Sequence, residues 1–325
     1  MPPIVSGRGI FHAALDRGKQ SVALDLRHPE GVEAFRVLLD TADVLVESFR
    51  PGTLARAGLA PDKLLATRPR LVACSITGFG QTGPLSDHPG HDLNYQGYAG
   101  IVAACGGDPI LPYPVQVADV AGGSLMAAVG ILAALLERER TGKGRWLDVS
   151  MTEGVLALFA PHLAMALADD RDHIPGGEML TGGYGGYRTY SCSDGGLVTV
   201  APLEPKFWIS LVATLGDEAP ETPDPVALAA MFARRPRDAW VDLLKDSCVG
   251  PVLKAREVPG LAQFTMRGAF ETVLGIPMAK APFPWSARTG VRLLGEDTRP
   301  VLSALGLDVD ALLAAGAAAV PPGME

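Results

Sequence analysis

Hydrophobic positions in the N-terminal half fall alternately into strand-like runs and helical spacing. Residues 21–26 (SVALDL) are short and β-prone, 29–41 set Val32, Phe35, Leu38 and Leu39 at helical intervals, and 44–49 are apolar and β-prone again. This pattern predicts one β-α-β unit. A second starts with a helical stretch at 61–66, passes into a strand at 71–77, and meets a Gly/Pro loop over 78–90. A long helix over 121–140, the TGKGR turn and a strand at Trp146–Ser150 follow. The order argues for a mostly parallel α/β sheet.

The texture changes near Ala166. ADDRDHIPGGEMLTGGYGGYR is rich in turn formers and has no period, so 166–187 reads as a linker or active-site loop. Beyond it, 187–192 and Leu197–Val200 flank SDGG and predict a hairpin, with helical patterns at 207–215, Pro225–Phe232 and 238–245. The expected organisation is a large α/β domain over 1–165, the linker, a small α+β domain over 188–284, and a C-terminal segment over 285–325 that returns to the first domain.

Composition narrows the classes. The 325 residues carry 28 Lys+Arg against 36 Asp+Glu, a net charge of −8, and are 48% hydrophobic, which is a globular balance without a basic footprint for nucleic acid. A small-molecule ligand is expected. The longest strongly apolar run, 125–136, is shorter than the ~20 residues a bilayer span needs, so it reads as a buried helix and no membrane segment is expected. The N-terminus lacks the basic and apolar regions of a signal peptide, which points to a cytoplasmic protein. Cys74, Cys105, Cys192 and Cys248 are widely spaced, arguing for reduced, mostly buried thiols rather than zinc or disulfides.

Among motifs, Gly78–Gly83 matches G-x-G-x-x-G after a strand, but Pro84 follows at once and no helix is expected to open there, so dinucleotide binding is disfavoured. Neither a Walker A loop, H-E-x-x-H nor G-x-S-x-G is present. Three ionisable residues stand out. Asp119 precedes the Gly122-Gly123 helix start, His91 lies in PGHDLNY, and Glu204 lies in LEPKFW. Each has an ordinary explanation as a cap or loop residue.

Taken together and in order, GKQSVALDLRHPEG, ADVLVESFRPGTL, ITGFGQTGP, GHDLNY, VADVAGGSLMAAVGILAALLERERTGKGRWLDVSM and LEPKFW resemble the family III CoA-transferases, a group that includes α-methylacyl-CoA racemases. The resemblance implies a Rossmann-like large domain and a smaller α+β domain in an interlocked homodimer, with acyl-CoA between them. The CoA thioester would be the substrate, with no resident cofactor or metal. By motif, His91 and Asp119 would be bases on opposite faces of the substrate α-carbon, and Glu204 would support His91. Racemisation needs such a pair, because one group removes a weakly acidic proton while the other returns it from the far side. Backbone N–H groups around Asp119 are expected to receive the enolate oxygen. Leu24, Arg27, Ser48, Phe49 and Arg56 match positions that contact CoA, Arg50 joins the early cations suited to its phosphates, and Tyr95 is expected to line the acyl pocket.

The same family contains a transferase chemistry, in which the Asp is a nucleophile and a Gly-rich loop covers its acyl anhydride. His91 and Glu204 favour proton transfer. However, the loop Met179–Tyr187 reads MLTGGYGGY, with Thr181 where racemases resemble M-L-D-G-G, and its glycines suit close approach to a covalent intermediate. Relatives also begin with about one further β-α unit before GKQSVALDL. Its apparent absence would leave an incomplete crevice, so a non-catalytic relative is the third reading.

Overall fold

The computed structural model describes residues 3–107, 114–281 and 290–324. The chain opens with a tiny hairpin, β1 (Ile4–Val5) and β2 (Arg8–Gly9), and helix α1 (Ile10–Asp16). Next come β3 (Ala23–Leu24), α2 (Pro29–Leu39), β4 (Val44–Glu47), the short helices α3 (Thr53–Arg56) and α4 (Pro61–Thr67), and β5 (Val72–Thr77). After α5 (Asp92–Tyr98) and α6 (Ile101–Ala104), a π-helical turn over Ala118–Leu125 runs directly into α7 (Met126–Thr141). β6 (Trp146–Ser150) and α8 (Met151–Ala168) end this half.

Local chemistry explains these boundaries. α2 begins with Pro29 in its first turn beside the acidic Glu30, and α7 stops where Gly142 adopts φ +72°. Ser150 caps α8, its hydroxyl accepting from Glu153 N–H at 3.2 Å.

β4, β5 and β6 form a parallel sheet with β5 in the centre, Val46 opposite Cys74 and Cys74 opposite Leu147. Five of the six β5 residues are buried, as expected of a strand covered on both faces. Leu39, Leu54, Leu59, Leu64 and Leu71 form one cluster beside this sheet. The expected strand at 21–26 is corrected. Only Ala23–Leu24 pairs, and it does so antiparallel with β12 (Ala318–Ala319), outside the parallel sheet. Its partner lies near the chain's other end, which local β-propensity cannot specify.

The second half contains an antiparallel sheet of β7 (Arg188–Ser191), β8 (Leu197–Val200) and β9 (Val249–Pro251), including the expected hairpin. Helices α9 (Pro205–Leu215), α10 (Pro225–Phe232) and α11 (Arg237–Leu243) cover it. Its core includes Tyr190, Leu211, Leu228, Phe232, Trp240 and Leu244. Tyr190 stacks on Phe232 at 5.2 Å, and Trp240 Nε1–H donates to the Phe232 carbonyl at 2.8 Å. Helix α12 (Ala262–Met266) and the hairpin β10 (Phe270–Val273) and β11 (Ile276–Ala279) follow. The expected boundary between 284 and 285 lies outside the described residues. Helices α13 (Thr298–Ala304) and α14 (Val309–Ala314) then lead to β12, and the segment is tied to the early chain by paired hydrogen bonds between Ser21 and Asp297.

The apolar run at 125–136 is not wholly buried: Leu125, Leu132 and Leu136 are 59%, 66% and 68% exposed. The expectation of a short span is corrected as well. The continuous helix Ala118–Thr141 has 24 residues with a window of mean hydropathy 1.9, and Met151–Ala168 has 18 with 1.4, so both reach bilayer-crossing length and apolarity on those two measures alone. Arg138 near the end of α7 is buried and anchored to the Arg70 carbonyl at 3.2 Å and the Asp43 carboxylate at 3.0 Å, tying that helix to the sheet region. Cys74, Cys105 and Cys192 are buried and Cys248 is exposed, with no disulfide among the described residues.

Candidate active site

The carboxyl ends of the parallel strands open into a cleft of about 540 Å³. Ser48, Phe49 and Arg50 follow β4, Ile76 and Thr77 end β5, and Met151 follows β6, so the cleft occupies the crevice where open α/β sheets bind ligands. Residues 78–90 pass along its rim without opening a helix, in keeping with the rejection of the dinucleotide motif. His91 and Tyr95 complete the lining.

His91 is the N-cap of α5; its N–H donates to Asn94 Oδ1 at 3.0 Å. Tyr95 is buried one turn on, its hydroxyl donating to the Gly90 carbonyl at 2.5 Å and its ring meeting Phe79 edge-on at 5.2 Å. A Cβ at Gly78 would lie 2.3 Å from Tyr95 Cε1, so the glycine of ITGFG makes room for that ring.

Asp119 sits in the π-helical turn rather than ahead of it as a cap. The Gly122-Gly123 pair serves packing: a Cβ at Gly122 would lie 2.6 Å from the Met151 carbonyl oxygen and 2.9 Å from Val155 N, so α8 approaches this turn backbone to backbone. Asp119 is not among the lining residues of the cleft, but its charge acts on groups there. Partial burial, and then the Asp92 carboxylate, raise the Asp119 carboxyl above the ordinary range, while His91 opposes them. Tyr95 is likewise raised, first by burial and then by Asp119. The structure therefore brings His91, Tyr95 and Asp119 into one electrostatic neighbourhood.

Sequence reading missed Asp92. Its Oδ1 accepts from Ala118 N–H at 2.7 Å and Asp119 N–H at 3.1 Å, and its Oδ2 accepts from Gln96 Nε2 at 2.5 Å. The expected oxyanion donors at the Asp119 helix start are thus already occupied, as is Val120 N–H, which donates to the Gln116 carbonyl. Among the described residues, the N–H groups of Asp92 and Leu93, immediately after His91, have no acceptor. Thr77 was missed too: its buried hydroxyl on the cleft wall has no partner among the described residues. Nothing in its spacing distinguishes it from a core threonine.

A second cavity of about 850 Å³ is lined by Leu24, Arg27, Phe49, Arg56 and Arg36 among others, and shares Phe49 with the first. All seven expected CoA contacts thus line one cavity or the other. Their charges are not equivalent. Arg27 is engaged by both oxygens of Asp25, whose pKa it holds down at about 2. Arg56 donates to the Thr53 hydroxyl at 2.9 Å. Arg50 has no side-chain partner among the described residues, so it is the cation most available to an anion in the cleft. Two other early cations are committed elsewhere: Arg17 to Glu271 at 3.2 Å and Lys19 to Asp16 at 2.5 Å.

Glu204 caps α9 on the antiparallel unit; its carbonyl accepts from Phe207 N–H, and its carboxylate has no hydrogen bond or ion pair among the described residues. The structure does not bring it to His91 within this chain. In the Gly-rich loop, Thr181 Oγ accepts from Glu178 N–H at 3.0 Å, and Glu178 is gripped by Arg171 at 2.6 and 2.9 Å. Thr181 is therefore built into the loop's own hydrogen bonding.

Residues 1–298 match the family model described as CoA-transferase family III. The chain belongs to that family. An α-methylacyl-CoA racemase of Homo sapiens is 34% identical over 314 residues, 90% of this chain and 82% of that protein. An acetyl-CoA:oxalate CoA-transferase of Acetobacter aceti is 40% identical over 166 residues, covering 50% of this chain and 42% of that protein. The solved structure of a CaiB/BaiF family protein from Brucella suis superposes with a TM-score of 0.78 at 28% identity, covering 94% of this chain and 87% of that one. This family III protein has the family fold with mixed α/β content, and it is an enzyme, either a racemase or a CoA transferase.

Proposed function

We propose that this family III enzyme racemises or epimerises a 2-methyl-branched acyl-CoA through an enolate, with His91 and Asp119 as the two proton-transfer groups. The supporting observation is their shared electrostatic neighbourhood at the strand ends, where Asp92 joins the turn after His91 to the amide of Asp119. One group takes the α-proton, leaving the electron pair in the enolate. The other, already protonated, delivers its proton to the opposite face. The Asp119 carboxyl, raised above its ordinary range by burial and by Asp92, is favoured in the protonated form from which it would deliver its proton. The open N–H groups of Asp92 and Leu93 would hydrogen-bond the enolate oxygen as charge develops on it. CoA would lie across the two cavities, its phosphates near Arg50, Arg56 and Arg27.

Glu204 fits this scheme as a residue of a second copy. A homodimer with interlocked chains would cover the exposed Leu125, Leu132 and Leu136 stripe and bring an α9 N-terminus to the partner's His91. The corresponding division is a Rossmann-like large domain over 1–165 with the returning 285–325 segment, and a small domain over 188–284 joined by 166–187.

The second reading is CoA transfer through an Asp119 acyl anhydride and then an Asp119–CoA thioester. The glycine-rich stretch 182–186, adjoining Thr181, favours it, since such a loop can approach a covalent adduct closely. Incubation of (R)-2-methylacyl-CoA in D₂O separates the two. Racemase chemistry predicts α-deuterium and loss of chirality, with the loss of chirality abolished by both His91→Ala and Asp119→Ala. Transfer of CoA to an added carboxylic acid, hydroxylamine capture at Asp119, and no α-exchange would support the second reading.

A further inference from the structure

Both oxygens of the Asp92 carboxylate are committed. Oδ1 receives two consecutive backbone N–H groups from a helix start that lies 26 and 27 residues further along the chain, and Oδ2 receives the carboxamide of Gln96, itself buried. A carboxylate held at both ends cannot rotate without releasing one set of bonds. Asp92 directly follows His91, and the second of its amide donors belongs to Asp119. We propose that Asp92 is a positioning residue, a clamp that locks the Asp119-bearing helix start onto the turn carrying His91 and so fixes the spacing of the two proton-transfer groups. This assignment rests on the proton-transfer reading of that pair.

The clamp also acts through its charge. Asp92 and His91, both from the start of α5, are the charged groups acting on the Asp119 carboxyl, with Tyr95 one turn further along the same helix. On its other side the π-helical turn packs against α8, which presents Met151 and Val155 at Gly122 and Gly123. The negative charge of Asp92 disfavours ionisation of Asp119, so removing that charge lowers the pH at which Asp119 titrates. A cap remote from Asp119 would leave that titration where it is.

Two variants separate geometry from charge. Asp92→Asn keeps an oxygen acceptor for the two amides and loses the charge; Asp92→Ala loses both. The first measurement is the ¹³C-carboxyl titration of Asp119 in aspartate-labelled full-length protein without substrate, assigned with Asp119→Asn. The second is the pH dependence of α-proton exchange on a 2-methylacyl-CoA. Asp92→Asn is expected to move the Asp119 titration, and the acidic limb of kcat with it, to lower pH, with KM little changed. Asp92→Ala is expected to lower kcat about 100-fold, the scale of a small misplacement of a reacting group. An unmoved Asp119 titration in a folded Asp92→Asn protein overturns the proposal, and so does an undiminished kcat in Asp92→Ala. A moved titration in a protein whose parent exchanges no α-protons overturns the proton-transfer reading while leaving the Asp92–Asp119 coupling in place, so the two failures are distinguishable.

Discussion

The N–H of Asp119 donates to Asp92 Oδ1 at 3.1 Å, while the carboxylates of the same two residues oppose each other's charge. Burial and this repulsion raise the folded-state Asp119 carboxyl above its unfolded value, so the folded protein binds a proton more readily than the unfolded chain. Ionised Asp119 is therefore a cost to the fold, fully present above the folded pKa and absent below the unfolded one. Asp119→Asn is expected to raise the melting temperature near pH 7, with the gain shrinking as pH falls through the acid range. Equal melting-temperature changes at pH 7 and pH 4 would contradict this.

A Cβ on Gly154 would meet the Gly122 carbonyl oxygen at 2.0 Å, a backbone atom that cannot swing aside. Gly154→Ala must separate α8 from the turn that carries Asp119. The expected loss is on the order of 3 kcal/mol in urea unfolding, together with weaker activity from the displaced Asp119. Gly130→Ala in α7 meets only the end of the Leu147 side chain at 3.4 Å and is expected to be far milder.

Arg50 and Arg27 present the same guanidinium in different situations. Arg27 must give up two hydrogen bonds to Asp25 before it can serve a phosphate, whereas Arg50 gives up none among the described residues. Arg50→Ala is expected to weaken CoA binding by about tenfold or more in calorimetry, the scale of one charge-assisted hydrogen bond. Arg27→Ala should weaken it less. The reverse order would place the phosphates nearer to Arg27.

Much of the fold was legible because hydrophobic spacing is local. The helices 29–39, 205–215 and 225–232 and the hairpin of 188–191 with 197–200 follow directly from it. What escaped depends on distant partners. The pairing of Ala23–Leu24 with Ala318–Ala319 is set by a segment almost the whole chain away. The exposure of Leu132 and Leu136 follows from what packs against α7, which an apolar run does not reveal. His91 and Asp119 could be singled out from their motifs, but Asp92 could not be assigned its acceptor role from its own neighbourhood, because its main-chain donors sit on another helix. The same bonds remove the amides that the sequence suggested for the enolate oxygen.

The two-base account is tested most directly by following α-proton washout in D₂O separately from each enantiomer of one 2-methylacyl-CoA, with the parent enzyme, His91→Ala and Asp119→Asn. If the two groups flank the α-carbon, each variant loses racemisation, yet each still exchanges the α-proton of one enantiomer with retention, and the two variants spare opposite enantiomers. Loss of exchange from both enantiomers in one variant, with the other behaving like the parent enzyme, would contradict it.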